Sequence, residues 1–385
     1  MEENIQKKIL LNFIYLGRQH AGGKDQVALN LLEGWVVNGD TENVVVICFD
    51  YLVDTIRNIT KDILIEAIPY TGSENEFSRL LTIERVNTFI LPKLVKKYQG
   101  KVVFHASCTN GLRKIKGVSS IVIPHDIKAV SHRVLGNVKI SWYKYILYRI
   151  MYKIDFRNAD KIIAISETDK QEIKKYYPGY AEKVVKIYNP IKVKEDGKTV
   201  CKKRNHNIVA VNLQFHHKNI ITLIKAYEKI QDEIDGNLVL VGNIPQRIDY
   251  LKRYVKTHHL EERVKFTGFV TGEQKRKLLL ECGLYVNCSL FEGFGMTAVE
   301  AMIMDTPALL SKIPTNYEVT AGLCSYYEPV DDADALAQAI LDCFQKPLDM
   351  AQLKERRETM LRLYDYRNIA KQYMELFWDE KNGRD

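Results

Sequence analysis

Short apolar runs alternate with longer helical patterns along this chain of 385 residues, and that alternation restricts the possible folds more than any other feature. The runs are rich in Ile, Val and Phe, and several are apolar almost throughout, as in NVVVICF, KVVFHAS and NIVAVNL. Strands that are apolar on both faces are typical of parallel sheets covered by helices on each side. The pattern therefore predicts an α/β protein with doubly wound parallel sheets.

The runs form two sets, separated by the polar, charge-dense stretch KVKEDGKTVCKKRNHN. The predicted strands of the first set are KILLNFIYL, NVVVICF, KVVFHAS, IVIPHD, KIIAIS and VVKIYNP. Those of the second set are NIVAVNL, LVLVGN, VKFTGFV, LYVNCSL, TPALLS and SYYEP. A chain of this length favours two domains. We predict domains at 1–190 and 207–360, a linker at 191–206, a final helix at 361–385, and a cleft between the domains.

Composition limits the compartment and the partners. The seven cysteines contain no CxxC pair, which argues against a disulfide framework and a thiolate zinc site and favours a reducing cytoplasm. The N-terminal sequence favours a first strand over a signal peptide, and no apolar segment reaches the roughly 18 residues of a membrane span. The net charge of +8 suggests phosphate ligands or an acidic membrane surface. No nucleic-acid-binding signature is evident.

Chemically informative residues follow the predicted strands, where open α/β sheets bind ligands. Gly22 and Gly23 follow the first strand; they do not form the GxGxxG fingerprint of dinucleotide-binding proteins, and a simple turn explains them as well as a ligand does. His125 follows IVIP, and Lys218 follows NIVAVNL. A lone histidine or lysine is usually structural or solvated, but the position at a strand end favours a functional role.

Two glutamates flank a Gly-Phe-Gly loop in SLFEGFGMTAVEAMIMDTPALLS. Thr297 and Glu300 have the spacing of a capping box, in which a threonine caps a helix and a glutamate three residues later bonds back to it. That interpretation leaves Glu292 and both glycines unexplained.

Together these motifs resemble the retaining GT-B glycosyltransferases of glycosyltransferase family 4. The resemblance covers nearly the whole chain and includes ADKIIAISETDKQEI, HHKNIITLIKAYEKI, VKFTGFVTGEQKRKLL, FEGFGMTAVEAM and the closing YDYRNIAKQYMELFWDE. It implies two Rossmann-like domains facing a cleft, with a C-terminal helix that returns to the first domain. The implied substrate is a UDP- or GDP-linked sugar, used without a cofactor or metal ion.

The resemblance also implies roles for individual residues. Glu292 would contact the donor sugar, Lys218 the leaving diphosphate, and His125 the sugar and the reacting centre. Glu300 would bind the ribose hydroxyls, since a carboxylate can accept hydrogen bonds from both hydroxyls of a diol. The other implied donor and nucleotide contacts are Gly23, Asn212, Gly242, Phe269, Val270, Gly293, Phe294, Gly295, Met296 and Thr297, with Gly22 on the acceptor side.

Asn212 departs from the family pattern, which usually has an arginine at the matching position. Asparagine can donate a hydrogen bond to a phosphate but brings no charge, so catalysis would be weaker unless another group compensates. His216 and His217 are nearby donors, although a loop histidine that faces solvent is the simpler interpretation.

Two other functions fit the same fold, because fold does not determine function. A nucleotide-sugar epimerase would convert the donor without an acceptor. A basic scaffold for membranes and other glycosyltransferases would not bind nucleotides.

The segment Lys139 to Lys161 predicts a helix with two distinct faces. One is an apolar stripe and the other a flank of tyrosines and cations: Tyr143, Leu147, Ile150 and Ile154 against Tyr145, Tyr148, Tyr152, Lys144, Arg149 and Lys153. Either the stripe packs into the domain and the flank is solvated, or the tyrosines and cations rest on an anionic inner membrane leaflet. The second hypothesis makes the protein cytoplasmic and peripheral on the membrane, close to a lipid-linked acceptor.

Overall fold

A computed structural model describes residues 8–18, 22–73, 75–135, 138–193, 204–245 and 249–382. The chain divides into two compact units. The first comprises Met1–Arg133, Ile140–Ile191 and Tyr364–Asp385, and the second comprises Val134–Lys139 and Lys192–Leu363. Most of the predicted linker, 194–203, lies outside the described residues.

The strands form two parallel sheets and one short hairpin. The strands are β1 Lys8–Asn12, β2 Val44–Phe49, β3 Leu64–Ile68, β4 Gly100–His105, β5 Ser119–Val122, β6 Val134–Leu135, β7 Val138–Lys139, β8 Lys161–Ala164, β9 Val184–Lys186, β10 Ile208–Val211, β11 Leu238–Val241, β12 Val264–Gly268, β13 Leu284–Asn287, β14 Ala308–Ser311 and β15 Ser325–Tyr327. The first unit's sheet has the order β3-β2-β1-β4-β5-β8-β9. The second has the order β12-β11-β10-β13-β14-β15, and β6 pairs antiparallel with β7.

Most of the helices lie between successive strands, and the last three follow the final strand. They are α1 Gly23–Asn38, α2 Val53–Ile59, α3 Glu76–Arg85, α4 Leu91–Lys97, α5 Lys128–Ser131, α6 Trp142–Asn158, α7 Glu167–Tyr176, α8 Ile220–Ile230, α9 Tyr250–Thr257, α10 Gly272–Glu281, α11 Met296–Ile303, α12 Pro314–Val319, α13 Ala333–Gln345, α14 Met350–Tyr364 and α15 Tyr366–Asn382. None of the helices in the described part of the chain is long and apolar enough to cross a bilayer.

The prediction of two doubly wound parallel sheets is confirmed, and each of the twelve predicted runs overlaps a strand. The sequence did not reveal β3, the edge strand of the first sheet. Its first residue, Leu64, is 43% exposed, and Glu66 at its centre accepts a hydrogen bond from Lys97 Nζ at 2.6 Å. A strand of this kind lacks the all-apolar pattern that identifies a central parallel strand.

The C-terminal helix α15 packs against α1 and β4 in the first unit. Trp35 lies at the centre of this contact: its ring is 5.8 Å from Phe377, and its Nε1 donates to the carbonyl of Ala370 at 2.9 Å. Both rings are fully buried. The end of the chain therefore completes the core of the first unit.

Helix α6 forms within the predicted segment. Both interpretations of its sequence placed the flanking tyrosines on the outside, whereas in the structure these tyrosines face the protein. The three tyrosines that were expected outside, Tyr145, Tyr148 and Tyr152, pack against the buried cluster around Phe156. The stripe that was one candidate for the domain contact is largely exposed, with Tyr143 69% and Leu147 54% accessible. The tyrosines can face inward because their hydroxyls find partners; Tyr152, for example, donates to the carbonyl of Asp126 at 3.3 Å.

Gly34 permits the close approach of α1 to α15, and this gives a first prediction. A Cβ at this position would lie 2.6 Å from both the Cβ of Ala370 and the carbonyl oxygen of Tyr366. We expect Gly34→Ala to lower the free energy of unfolding by about 1–3 kcal/mol through overpacking. That loss outweighs the roughly 1 kcal/mol that alanine gains over glycine inside a helix.

Urea unfolding measures the effect, with Gly179→Ala as the matched control, because no described atom lies within 4 Å of a Cβ at Gly179. A Gly34→Ala protein more stable than wild type would contradict this packing of α15 on α1.

Candidate functional site

The predicted ligand residues of the second unit lie along the carboxyl edge of its sheet. Phe269, Gly242 and Asn212 each follow one of the neighbouring strands β12, β11 and β10. Glu292 follows β13, the next strand in the sheet. Parallel pairing brings these strand ends to one edge, which is where doubly wound sheets bind ligands.

Lys218 and Glu292 form an ion pair at this edge. Lys218 Nζ lies 2.5 Å from Glu292 Oε1, and their side chains are only 13% and 7% exposed. The same carboxylate oxygen accepts hydrogen bonds from Asn287 Nδ2 at 3.2 Å and from Ser289 Oγ at 2.7 Å. A nearly buried carboxylate needs this number of donors, because desolvation otherwise outweighs the attraction between the two charges.

A hydrogen bond from Cys288 stabilises the turn that contains Lys218. The sequence did not predict this role. Lys218 ends a turn of 3₁₀ helix, His216–Lys218, and the Cys288 thiol donates to the Lys218 carbonyl at 3.0 Å. Burial raises the pKa of this thiol to about 12. The thiol therefore stays protonated and acts as a hydrogen-bond donor between β13 and the lysine turn.

The capping-box interpretation of Thr297 and Glu300 is wrong. Helix α11 begins at Met296, its N-cap is Gly295, and no side chain caps it. Gly295 has a φ of 89°, a left-handed conformation that glycine adopts without strain, so Thr297 lies inside the helix and cannot act as the cap. The first amides of α11 are consequently not capped by a side chain, and Gly293, Phe294 and Gly295 form the loop before them. Phe294 is buried and anchors this loop.

Glu300 instead pairs with Lys275, a residue that the sequence did not identify. Lys275 Nζ on α10 lies 2.7 Å from Glu300 Oε2, and the two side chains are 29% and 13% exposed. Lys275 carried no signal in the sequence because lysines on amphipathic helices are usually solvated. In the fold it fixes the carboxylate that the family pattern assigns to the ribose.

The backbone explains the asparagine at position 212. Asn212 is exposed, its φ is 71°, and its N–H donates to the carbonyl of Val241 at 2.9 Å. Asparagine tolerates this left-handed conformation better than most side chains.

The two nearby histidines differ in their surroundings. His216 is exposed, whereas His217 stacks on Phe291 with ring centroids 4.6 Å apart, which favours a packing role for His217.

Of the expected nucleotide contacts that follow β11 and β12, Phe269 and Val270 are accessible to a ligand. Phe269 is 62% exposed, so packing in the core does not explain it, and Val270 beside it is half-buried. Gly242 has a φ of 135°, and a Cβ there would lie 3.2 Å from the backbone nitrogen of Leu213. The close approach of the chain after β11 to the chain after β10 therefore explains the glycine at position 242.

In the first unit, Gly22 and Gly23 start α1. Gly22 is the N-cap, with extended φ and ψ of −101° and 152°, and Gly23 is the first helical residue. A Cβ on Gly22 would meet no atom of the described residues within 4 Å. No contact in that part of the chain therefore requires glycine at position 22, whereas a ligand close to the backbone would require it.

His125 lies in the segment that follows β5. Its side chain is buried, and its backbone is left-handed, with a φ of 65°. Its Nε2 lies 3.1 Å from the carbonyl oxygen of Ala106. A carbonyl only accepts, so Nε2 carries the proton and Nδ1 holds the lone pair. Burial, with the charge of Lys24, lowers the pKa of His125 to about 3, and the ring is therefore a neutral acceptor near neutral pH.

Lys24, beside the glycine pair, is another residue that the sequence did not single out. Burial lowers its pKa, the nearby Tyr15 and Asp126 raise it, and the net direction is upward. It is therefore a cation next to the glycine loop. In the described part of the chain no three His, Cys, Asp or Glu side chains are grouped as metal ligands.

Comparisons with known proteins identify two family matches that together span residues 21–360. Residues 21–195 match the family model described as Glycosyltransferase Family 4, and residues 193–360 match Glycosyl transferases group 1. The O-antigen chain mannosyltransferase RfbU of Salmonella typhimurium is 30% identical over 210 residues, which is 54% of this chain and 57% of that protein. The chain spans about half the length of the curated relatives it matches.

Solved structures have the same fold over almost the whole chain. The sucrose-phosphate synthase of Thermosynechococcus elongatus has a TM-score of 0.76 at 20% identity and covers 97% of this chain and 98% of its own. HepE of Anabaena in complex with UDP-glucose has a TM-score of 0.71 at 18% identity and covers 97% and 99%. At these identities the likeness shows the fold alone.

Gly22→Ala separates the two explanations of the glycine loop. Alanine fits the observed φ and ψ, so the free energy of unfolding should change by less than about 0.5 kcal/mol. If a ligand approaches this backbone, turnover or ligand affinity should fall about tenfold or more. Unchanged kinetics, matching those of a Gly179→Ala control, would mean that the glycines only turn the chain.

Lys275 gives a test of the Glu300 pair. We expect Lys275→Ala to weaken nucleoside diphosphate binding by about threefold to thirtyfold, because the partly exposed ion pair that orients Glu300 is lost. Lys275→Arg should keep most of the affinity. Calorimetry measures both variants, and Lys277→Ala on the same helix is the control, since Lys277 is 73% exposed. Equal affinity in all three variants would remove Lys275 from the site.

Proposed function

Because this chain belongs to the GT-B glycosyltransferases of family 4, we propose that it transfers a hexose from a nucleotide sugar to a glycan or lipid-linked acceptor. The proposed donor is UDP- or GDP-linked, and the proposed context is cell-surface polysaccharide or glycolipid synthesis. The name of the O-antigen relative, a mannosyltransferase, supports this context. The proposed transfer retains the anomeric configuration and requires no metal ion.

The Lys218–Glu292 pair is the observation that carries this proposal. It places an ammonium and a carboxylate 2.5 Å apart at the ligand-binding edge of a doubly wound sheet. Cleavage of a sugar–phosphate bond develops negative charge on the diphosphate and positive character on the sugar. The ammonium is suited to stabilise the diphosphate, and the carboxylate is suited to stabilise the sugar. This edge is where doubly wound sheets bind their ligands.

The proposed reaction breaks the bond between the sugar C1 and the diphosphate oxygen, and the diphosphate leaves with the electron pair. Lys218 and the uncapped first amides of α11 stabilise that charge. The acceptor oxygen forms the new bond to C1 on the same face, and its proton passes to the departing oxygen, the nearest base on that face. Glu292 stabilises the positive sugar.

The nucleotide would lie across the edge from Glu300 towards β12. Glu300, held by Lys275, accepts from the ribose hydroxyls, and the exposed Phe269 ring offers a stacking surface to the base. In the first unit, neutral His125 offers Nδ1 as an acceptor to a hydroxyl. The proposed location is the cytoplasm, with peripheral attachment to the inner face of the membrane.

A screen of UDP- and GDP-linked sugars tests this function by release of nucleoside diphosphate with and without acceptors. Transfer should be dependent on an acceptor, persist in EDTA, and retain the anomeric configuration by NMR. Conversion of the donor sugar without an acceptor would identify an epimerase instead. If calorimetry detects no binding of UDP or GDP, a non-catalytic scaffold becomes the better explanation.

Glu292→Gln is the sharpest mutational test of the ion pair. Glutamine keeps an acceptor for Asn287 and Ser289 but removes the charge, so kcat should fall about 10²-fold or more. Diphosphate affinity should remain within a few-fold of wild type or increase, because Lys218 is released from its carboxylate. Lys218→Ala should lose both binding and turnover. Full activity of Glu292→Gln with a confirmed donor would exclude Glu292 from the reaction.

A further inference from the structure

Helix α6 leaves a contiguous row of large apolar side chains uncovered, which we term the α6 apolar face. Its members are Trp142, Tyr143, Ile146, Leu147 and Ile150, which are between 38% and 69% exposed. With about 100° of rotation per residue, these five side chains lie within an arc of about 140° on one side of the helix. Soluble monomers rarely expose a continuous apolar patch of this kind without a binding role.

The orientation of α6 is fixed by its opposite side. Tyr145, Tyr148 and Tyr152 pack on the buried cluster that contains Phe156, and Tyr177 donates from its hydroxyl to the carbonyl of Arg149 at 3.4 Å. The helix cannot rotate to bury the apolar face without exposing these rings. The apolar face is therefore a stable part of the surface of the first unit.

Charge identifies what covers this face. The exposed charged residues of α6 are all cations, Lys144, Arg149, Lys153 and Arg157, and its one acidic residue, Asp155, is buried. By helical geometry, Lys144 and Arg149 lie beyond the two borders of the apolar arc, and Lys153 and Arg157 lie at its C-terminal end. An apolar face bordered by cations is the signature of a helix that lies in the headgroup region of an anionic membrane.

The adjoining loop continues this chemistry. Asn158 Nδ2, at the end of α6, donates to the carbonyl of Gly111 at 2.7 Å. The next residues include Leu112, which is 54% exposed, and the exposed Arg113 and Lys116. Another protein would need acidic groups around an apolar groove to match this surface, whereas one anionic bilayer supplies both the negative charge and the apolar medium.

We infer that the α6 apolar face docks the first unit onto an anionic phospholipid bilayer, with Trp142 and Tyr143 among the headgroups. This deepens the proposed function, on which it rests only for the lipid-linked acceptor that such docking would bring within reach. The inserted surface is the aliphatic and Trp side of the helix, while the tyrosines expected there from the sequence anchor the helix to the protein.

Co-sedimentation with vesicles tests the inference. The full chain is mixed with vesicles of phosphatidylglycerol and phosphatidylcholine in equal parts, and with phosphatidylcholine alone. We expect about tenfold or greater preference for the anionic vesicles, decreasing as salt rises. Absence of binding to anionic vesicles at low salt would overturn the inference.

Leu147→Glu tests the apolar contact, with Leu81→Glu on α3 as its matched control. The two leucines are 54% and 55% exposed in the same unit, so both variants should fold, which circular dichroism and thermal unfolding check. Leu147→Glu should weaken vesicle binding about tenfold or more, and Leu81→Glu by less than about twofold. Equal effects would show that the α6 apolar face is not the docking surface.

The charge contribution is tested by Lys144→Glu with Lys153→Glu, against Lys252→Glu with Lys256→Glu on α9. Each reversal removes two charges, so both double variants fall from +8 to +4 and differ only in where the change lies. The α6 pair should weaken anionic vesicle binding by about twentyfold or more, and the α9 pair should not. Equal losses would mean that net charge alone drives binding.

Two further measurements separate other outcomes. If sedimentation velocity shows a wild-type dimer that Leu147→Glu dissociates, and vesicles do not bind, a second copy of the chain covers the face and the inference is wrong. Diphosphate binding should be unchanged in every α6 variant. A wild-type protein that binds vesicles but no nucleotide would contradict the proposed function and leave the docking surface intact.

Discussion

The ion pair of Lys218 and Glu292 constrains the residues around it at the carboxyl edge of the second unit's sheet. Both side chains are almost out of water, so neither charge is tolerable without the other. The surrounding residues serve this requirement: Asn287 and Ser289 donate to the carboxylate, and the Cys288 thiol holds the lysine turn. Three consecutive residues at the end of β13, Asn287, Cys288 and Ser289, thus hold this one ion pair in place.

This arrangement also suits a binding site. A buried ion pair between well-packed residues is weak evidence for stability, since apolar groups of similar size often stabilise as well. A diphosphate that binds Lys218 would replace the Glu292 carboxylate as the anionic partner of the lysine. The Lys218 ammonium would therefore be desolvated and oriented before the diphosphate binds. The left-handed Gly295 contributes in the same way, because it starts α11 without a capping side chain and leaves the first amides to a ligand.

The sequence predicts the fold well because parallel sheets impose an unusually clear pattern. Central strands such as Val44–Phe49, buried at every residue, cannot be confused with surface segments. The strand ends then place Lys218 and Glu292 at one edge without knowledge of any side-chain contact. Edge strand Leu64–Ile68 escapes this logic, since it is covered only in part and carries a charged residue at its centre.

Contacts between helices could not be predicted in the same way. Thr297 and Glu300 have the spacing of a capping box, but Gly295 is the N-cap and the helix begins two residues earlier than that spacing implies. Glu300 is left to pair with Lys275 from another helix. Spacing along one helix contains no information about the neighbouring helix. Thr271 and Gln274, at the start of α10, do form a capping box.

Helix α6 shows the same limit with a larger consequence. Hydrophobicity alone favours burial of Leu147 and Ile150 over burial of tyrosine, because each tyrosine brings a hydroxyl that needs a partner. The fold supplies such partners, among them the carbonyl of Asp126 for Tyr152, and the broad rings fill the space above Phe156. Once the tyrosines face inward, the aliphatic side must face outward. A helix that turns its more polar rings into the protein and its aliphatic side chains away presents the surface that the proposed docking on a bilayer requires.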